Sequence, residues 1–293
     1  MLEKYVMQKN SSEHPTELLL GKTVSYPSRY DASQLFTLKR FEARQALGMT
    51  ENAPLPFCGW DLWNAYELSW LNNRGLPKIA LLRLKIPCNS PNIIESKSFK
   101  LYLNSFNQTR FDSMHEVFDC LRVDLAQALG ADIDLELVGP DQFDNEGITE
   151  PQGINLDKLD IEISNYAPNE KLLKLEHPAG VETKASVTEK VFSRLMKSNC
   201  PVTDQPDWAC VTIEYSGQAI SHTSLLAYIV SYRLHNGFHE HCVEKIFHDI
   251  MTQCKPTALS VYARYTRRGG LDINPWRATA GMREPILSRS ARQ

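Results

Sequence analysis

The chain has 293 residues, enough to bury a large core as one domain or as two of ordinary size. With 42% apolar and 23% charged residues, and 32 basic against 35 acidic side chains for a net charge of −3, its surface is not one that coats nucleic acid. Its longest apolar runs, such as 79–82, are cut short by Arg83 and Lys85, far below the roughly 20 residues of a membrane span.

From the N-terminus, residues 1–20 read as an extension in which Glu3, Glu13 and Glu17 stand without an apolar stretch or a small-residue cleavage site, so no signal peptide is expected and a cytoplasmic location is. A first module is expected over 21–165, with strands over 60–71 and 77–86, helices over 96–106 and 113–129, and strands over 133–138 and 161–163. The Pro-, Gly-, Asn- and Glu-rich region 139–180 supplies loops, with a linker at 166–180. A second module, 181–277, opens with a strand over 185–199, whose polarity alternates and which has no helix cap. Over 209–215, Val211, Ile213 and Tyr215 share one face and Cys210, Thr212 and Glu214 the other, the period of a half-buried strand. Helices follow over 224–234 and 240–254, the second carrying Val243, Ile246, Phe247 and Met251 at three- and four-residue spacing, and then a strand over 259–265. Each module reads β-β-α-α-β-β, and the tail 278–293 shows no periodicity, as a disordered segment would.

Seven cysteines, odd in number, scattered and without a C-x-x-C pair, argue against a disulfide framework and a zinc ribbon. His239-Glu240-His241 has Val243 where a zinc-binding H-E-x-x-H motif needs its second His, so no metal site is expected.

The two modules look like a duplication. Ser105-Phe106 can be laid on Ser231-Tyr232, and each following helix carries a His-Glu pair, His115-Glu116 and His239-Glu240, at a spacing that differs by two residues. Laying Pro77 on Pro206 puts Leu71 in the place of Cys200 and Lys78 in that of Asp207. Conversely, Glu95-Ser96-Lys97-Ser98-Phe99-Lys100 has no counterpart near Ser221. Each half lacks what the other holds, which predicts one site assembled across the two halves or across two chains.

Cys200 and Asp207 share one Pro-punctuated turn, with Pro206 stiffening it and Lys197 nearby. A thiol needs a base or cation beside it to become a nucleophile, and a carboxyl group so placed can take its proton and return it to an atom that becomes negative. The alternative is a turn-capping Asp and a core Cys. Glu95 and Glu240 each sit where a helix begins, which the helix dipole favours by roughly 0.3–1 kcal/mol. Each can also accept paired hydrogen bonds from the N–H edge of a guanine-like base, with Phe238 stacked on its face. Tyr265-Thr266-Arg267-Arg268-Gly269-Gly270 puts two guanidinium groups beside two glycines, and with Lys97 and Lys100 it forms a candidate anion site. No G-x-G-x-x-G turn follows a strand, so a dinucleotide would not be held in the Rossmann manner.

Taken in order, Glu95-Ser-Lys-Ser-Phe-Lys100, Cys200-Pro-Val-Thr-Asp-Gln-Pro-Asp207, Phe238-His239-Glu240 and Tyr265-Thr-Arg-Arg-Gly-Gly-Leu271 resemble the QueF family, the NADPH-dependent 7-cyano-7-deazaguanine reductases, in its long two-module form, over about 21–277. The resemblance implies an α+β protein of tandem tunnelling-fold modules, each an antiparallel sheet with two helices on one face. It implies that Cys200 attacks the nitrile carbon to give a thioimide and that Asp207 protonates the nitrile nitrogen. Two NADPH per turnover, with no metal, would then yield a precursor of the tRNA base queuosine. By the same resemblance Ile94, Glu95, Ser96, Phe238, His239 and Glu240 hold the deazaguanine, and Ser96, Lys97, Arg268 and Gly269 contact NADPH. Other readings are an amidinotransferase of the same fold that uses the thioimide without NADPH, a zinc cyclohydrolase, disfavoured by the missing ligand spacing, and a noncatalytic purine-binding module. The expected partner is the small-molecule nitrile, with no direct nucleic acid and no membrane. Exposed sheet edges predict self-association, as a homodimer.

Overall fold

The computed structural model describes residues 26–51, 53–177 and 186–293. The expected extension 1–20, the end of the expected linker at 178–180 and the start of the strand expected at 185 lie outside the described residues.

Thr37–Lys39 (β1) runs into a short helix, Arg40–Gln45 (α1), and then a long hairpin of Cys58–Leu71 (β2) and Pro77–Pro87 (β3). Asn92–Ile94 (β4) pairs antiparallel with β1 and leads into Ser96–Asn104 (α2), Met114–Leu129 (α3) and Asp134–Val138 (β5). After Ile154–Asn155 (β6) the pattern repeats as Val187–Asn199 (β7), Pro206–Gly217 (β8), His222–Ser231 (α4), His239–Cys254 (α5), Ala258–Tyr265 (β9) and Leu271–Ala278 (β10). The α+β class and the tandem tunnelling-fold modules are therefore as expected.

Eight strands form one sheet in the order β5-β3-β2-β10-β9-β8-β7-β6, antiparallel except for the β6–β7 pair. The last strand makes the join. β10 pairs with β2 from Leu271↔Ala65 to Ala278↔Cys58, but with β9 only from Trp276↔Tyr262 to Ala278↔Ser260. A seam between modules thus runs down the middle of the sheet. On the helical side, Trp63, Leu82 and Leu84 pack with Phe99, Tyr102, Leu121 and Leu125, and Val211, Ile213 and Val261 pack with Leu225, Ile229, Ile246 and Ile250. On the opposite face Trp60, Leu62, Tyr262 and Trp276 form a smaller cluster against Met282 and Leu287.

Two expectations are corrected. Residues 161–163 form no strand; β6 instead adds two residues to the β7 edge, with Asp157 just after it accepting from the Ser193 hydroxyl. The tail beyond β10 is packed rather than loose: Arg264 donates to Ser288 O, Lys85 pairs with Glu284, and the buried Gln293 donates to Asn274 Oδ1. These are polar contacts between distant segments, which leave no periodicity in the sequence.

The duplication extends to single hydrogen bonds. Tyr102 donates to Asp124 and Tyr228 to Asp249, both at 2.6 Å, and the Ser105 and Ser231 hydroxyls donate to Tyr102 O and Tyr228 O at 2.6 Å. Both long hairpins carry a register shift, between Ala65 and Leu68 and between Ser193 and Met196. The pairing also corrects one equivalence. Leu71 pairs with Pro77 as Asn199 pairs with Pro206, and Asn72 N donates to Leu76 O as Cys200 N does to Gln205 O. The counterpart of Cys200 is thus Asn72, not Leu71, while Lys78 does stand opposite Trp70 as Asp207 stands opposite Ser198. The His-Glu pairs are likewise not equivalent. α3 begins at Met114 and α5 at His239, so Glu240 corresponds to His115.

Charges are buried where the modules meet. Arg40 lies 2.6 Å from Asp61, Arg277 2.7 Å from Asp61 and 2.8 Å from Glu244, and Arg44 2.7 Å from Glu244, with all five side chains buried. Breaking such a group by removing one partner costs about 3–5 kcal/mol. The group ties α1 of the first module to α5 and β10 of the second.

Candidate active site

Cys200 follows the last residue of β7, and its backbone is fixed on both sides: its N–H donates to Gln205 O and its C=O accepts from Asp204 N. The side chain is 3% exposed. Asp207, in β8, is buried and lines the same cavity as Cys200 and Pro201. Asp204, the other carboxylate of this turn, has a left-handed backbone (φ 57°) and accepts from Asn236 instead. Asp207 has two basic neighbours: His239 Nε2 lies 3.4 Å from its Oδ2 and Arg268 Nε 3.4 Å from its Oδ1. Arg268 is steadied by donating to Gln205 Oε1 at 2.8 Å, from the far side of the Cys200 loop.

The imidazole of His239 lies flat on the ring of Tyr265, with centroids 3.6 Å apart and planes 1° apart. This fixes the plane of the ring, while its Nδ1 is buried with no hydrogen-bond partner. Trp63 Nε1, another polar atom on a cavity-lining side chain, is also buried and unpartnered. Buried polar atoms normally find partners, and these two have none within the protein.

The cavity draws on both modules. Trp63, Ile94 and Ser96 come from the first, and Cys200, Pro201, Asp207, Gly237, Phe238, His239, Glu240, Thr266, Arg268, Leu271 and Ile273 from the second. Its place follows from the sheet order, because the turn between β9 and β10 opens at the seam where β10 meets β2. Glu240, in the first turn of α5, is buried, and burial pushes its carboxyl up to about 6; Asp61 adds to the rise, and His239 and Arg40 oppose it. Glu95 lies between Ile94 and Ser96 as the N-cap of α2, and its carboxylate oxygens accept from Lys97 N at 2.9 Å and Ser98 N at 2.7 Å. Burial raises it above the usual carboxylate range against those two amides. The capping role allowed by the sequence is therefore realised, and each oxygen keeps a lone pair for a further donor.

Not every expected residue lines this cavity. Gly269 lines a neighbouring one with Glu67, Lys100, Asn104, Asn107 and Gly270. Its backbone is left-handed (φ 62°), and an added Cβ would stand 2.8 Å from Lys100 Nζ. Glu95 and Lys97 line neither cavity, and Lys97 contributes its backbone N–H to Glu95. Lys100, 3.8 Å from Glu67, together with Arg268 and the Gly269-Gly270 turn, are the residues here that could contact a phosphate-bearing cosubstrate. Among the described residues no group of three His, Cys, Asp or Glu side chains is placed to hold a metal ion. The sequence reading missed Trp63, Leu271 and Ile273 as cavity walls and Tyr265 as the support of His239. Tyr265 had a signal, since it opens the Tyr-Thr-Arg-Arg-Gly-Gly motif, whereas Trp63 is one of several strand tryptophans and stands out only through topology.

Comparison with known proteins covers both modules. The family "Nitrile reductase, 7-cyano-7-deazaguanine-reductase N-term" matches residues 26–137, and "QueF-like protein" matches 206–284. A Bordetella avium protein named NADPH-dependent 7-cyano-7-deazaguanine reductase is 54% identical over 274 residues, which is 94% of this chain and 97% of the relative. Relatives of the same name from Paraburkholderia xenovorans and Bordetella pertussis are 52% identical over 280 residues and 53% over 274, covering 95% and 94% of this chain and 99% and 97% of theirs.

Proposed function

The chain belongs to the family of NADPH-dependent 7-cyano-7-deazaguanine reductases, and from that premise we propose how its own residues reduce the nitrile of 7-cyano-7-deazaguanine to the aminomethyl group, a step towards queuosine. The observation that carries the proposal is the cavity that holds Cys200, Asp207 and His239 of the second module with Ile94 and Ser96 of the first.

The Cys200 sulfur adds to the nitrile carbon, and one C–N π bond becomes a lone pair on nitrogen. Asp207 gives that nitrogen a proton, and the product is a thioimide. A nitrile is a poor hydride acceptor, while a protonated C=N is a good one. NADPH, when bound, supplies one hydride for each of the two reductions. The carbon–sulfur bond breaks between them, returning Cys200 as thiolate. His239, 3.4 Å from Asp207 and held flat by Tyr265, is placed to hand Asp207 its next proton. Glu95 and Glu240 accept from the N–H edge of the deazaguanine, Ile94, Ser96 and Phe238 enclose it, and Ser96, Lys97, Arg268 and Gly269 take up NADPH.

The first module, 21–165, thus contributes one substrate carboxylate and part of the cosubstrate entrance, and the second, 181–277, the nucleophile and the acid. We place the protein in the cytoplasm as a homodimer associating through its sheet edges. The support for that location is the soluble cosubstrate and the fact that, among the described residues, no helix is long and apolar enough to cross a membrane. Sedimentation tests the association, for which a monomer at micromolar concentration is the contrary outcome. The test of the reaction is NADPH absorbance with the purified protein and the nitrile. Two NADPH consumed per nitrile, and none by Cys200→Ala, is the expected result; NADPH oxidation at the wild-type rate by that variant overturns the covalent route.

A further inference from the structure

In each module the end of the strand before the hairpin loop is stitched to the segment between the two helices. Asn199 N donates to His235 O at 2.8 Å and Gly237 N to Asn199 O at 3.0 Å, which brackets Asn236. Leu71 N donates to Thr109 O and Phe111 N to Leu71 O, both at 2.9 Å, which brackets Arg110 in the same way. Both bracketed residues reach the hairpin loop beside them: Arg110 Nη1 donates to Asn73 O at 3.1 Å, and Asn236 Nδ2 donates to Asp204 Oδ1. The first module has a second device, because the Asn72 side chain closes its own loop. In the second module Cys200 stands in that place, and the bracing amide comes from outside the loop. That amide is itself anchored. Lys197 Nζ donates to Asn199 Oδ1 and to Arg233 O, and Asn199 Nδ2 donates to Asn236 Oδ1 at 3.2 Å, so three side chains in a row are oriented towards the Asp204 carboxylate.

We propose that Asn236 is a positioning residue for the nucleophile. Through Asp204 it holds the Cys200 loop, and through the backbone bonds on either side of it that loop is tied to the Phe238-His239-Glu240 segment that holds the base. The inference rests on Cys200 being the nucleophile. Asp204 needs holding, because its φ of 57° lies in the region that favours glycine. Its N–H donates to Cys200 O at 3.1 Å, so its conformation sets the carbonyl side of the nucleophile's own backbone. Asn236 and Asp204 are both exposed, so their bond adds little to stability, and its loss is felt in the geometry of attack rather than in unfolding.

The test follows adduct formation by intact-mass spectrometry of rapidly quenched samples, with saturating 7-cyano-7-deazaguanine and no NADPH. Asn236→Asp still accepts from Asn199 but sets a carboxylate against Asp204, and the rate of adduct formation is expected to fall about tenfold or more. Asp204→Asn keeps an acceptor for Asn236 and a residue type that tolerates the left-handed backbone, and its rate is expected to stay within about threefold of wild type. Joined to Asn236→Asp it supplies the donor from the other side, and the double variant is expected to recover the Asp204→Asn rate. Asp204→Gly suits the backbone and lacks the acceptor, so it is expected to slow the adduct without adding strain, and it carries the test where Asn236→Asp does not fold. Calorimetry in the Cys200→Ala background is expected to give the same dissociation constant for the nitrile with and without each of these changes. Wild-type rates in Asn236→Asp and Asp204→Gly, a loss that Asp204→Asn does not relieve, or a loss matched by weaker noncovalent binding or lower thermal stability overturns the inference and leaves Cys200 as the nucleophile. Wild-type protein that forms no adduct at Cys200 overturns the reading beneath it, and the inference falls with that reading.

Discussion

At the tip of the β2–β3 hairpin Asn72 donates its backbone N–H to Leu76 O, and at the tip of β7–β8 Cys200 donates its own to Gln205 O. The frames match, and the side chains do different work. Asn72 Oδ1 accepts from Arg74 N and Leu76 N and so closes its own loop, while Lys78 is exposed. Cys200 has no such duty. Its loop is longer by one residue and is closed by backbone alone, which leaves the sulfur facing the cavity with Asp207. The helix starts divide the other way: Glu95 caps α2 with its carboxylate, whereas Ser221 at the start of α4 makes no side-chain cap. A duplicated fold can therefore hold one site whose parts are split between its copies, with β10 bringing them together by pairing with β2.

The largest effect that tests this comparison is loss of the nucleophile. Cys200→Ala is expected to lower NADPH-dependent turnover on the order of 10⁴-fold or more, and adding Asn72→Cys and Lys78→Asp to that variant is expected to restore nothing. Turnover regained by the transplant would show that the first module can host a site of its own. Asp207→Asn keeps the shape and removes the acid, and a fall of roughly 10²–10⁴-fold in kcat is expected with little change in KM; a near-normal rate excludes Asp207 as the proton donor.

Smaller effects probe the shared framework. Tyr228→Phe strips the buried Asp249 of a donor and Tyr102→Phe does the same to the half-buried Asp124, so urea unfolding should show losses of about 1–3 kcal/mol, larger for the first. Equal losses would mean that burial of the acceptor does not matter. A further effect concerns His241, which stands where α3 has Glu116. Held at about 4 by burial, His241 is neutral in the fold when the unfolded chain already binds a proton near its ordinary value of 6.5. Its contribution is present above that value and is lost as pH falls through that window towards 4. His241→Gln is expected to flatten this part of the stability–pH curve, and an unchanged slope would place the acid sensitivity elsewhere.

The strands and helices with apolar periodicity were legible in the sequence, and so was the complementary loss of Cys200 and Asp207 in one module and of the Glu95 segment in the other. What escaped has a common cause. β10 is buried along its whole length although it carries Asp272, Asn274 and Arg277, so no alternation marked it as the joining strand. The Arg40, Asp61, Glu244 and Arg277 group gathers residues more than 200 positions apart, and Gln293 reaches back to Asn274. Polar groups buried in pairs look like surface residues until their partners are known. The one-residue difference between the hairpin loops likewise hid Asn72 behind Leu71, because a sequence alignment through the prolines cannot see which backbone groups close the turn.

Of the seven thiols, Cys200 alone is expected to attack the nitrile. Intact-mass and peptide mass spectrometry of the wild-type protein incubated with 7-cyano-7-deazaguanine and no NADPH tests it most directly. A single adduct of the nitrile's own mass is expected, mapped to the peptide of Cys200, absent from Cys200→Ala and discharged when NADPH is added. No adduct, or one mapped to the exposed Cys58 that survives in Cys200→Ala, would contradict it.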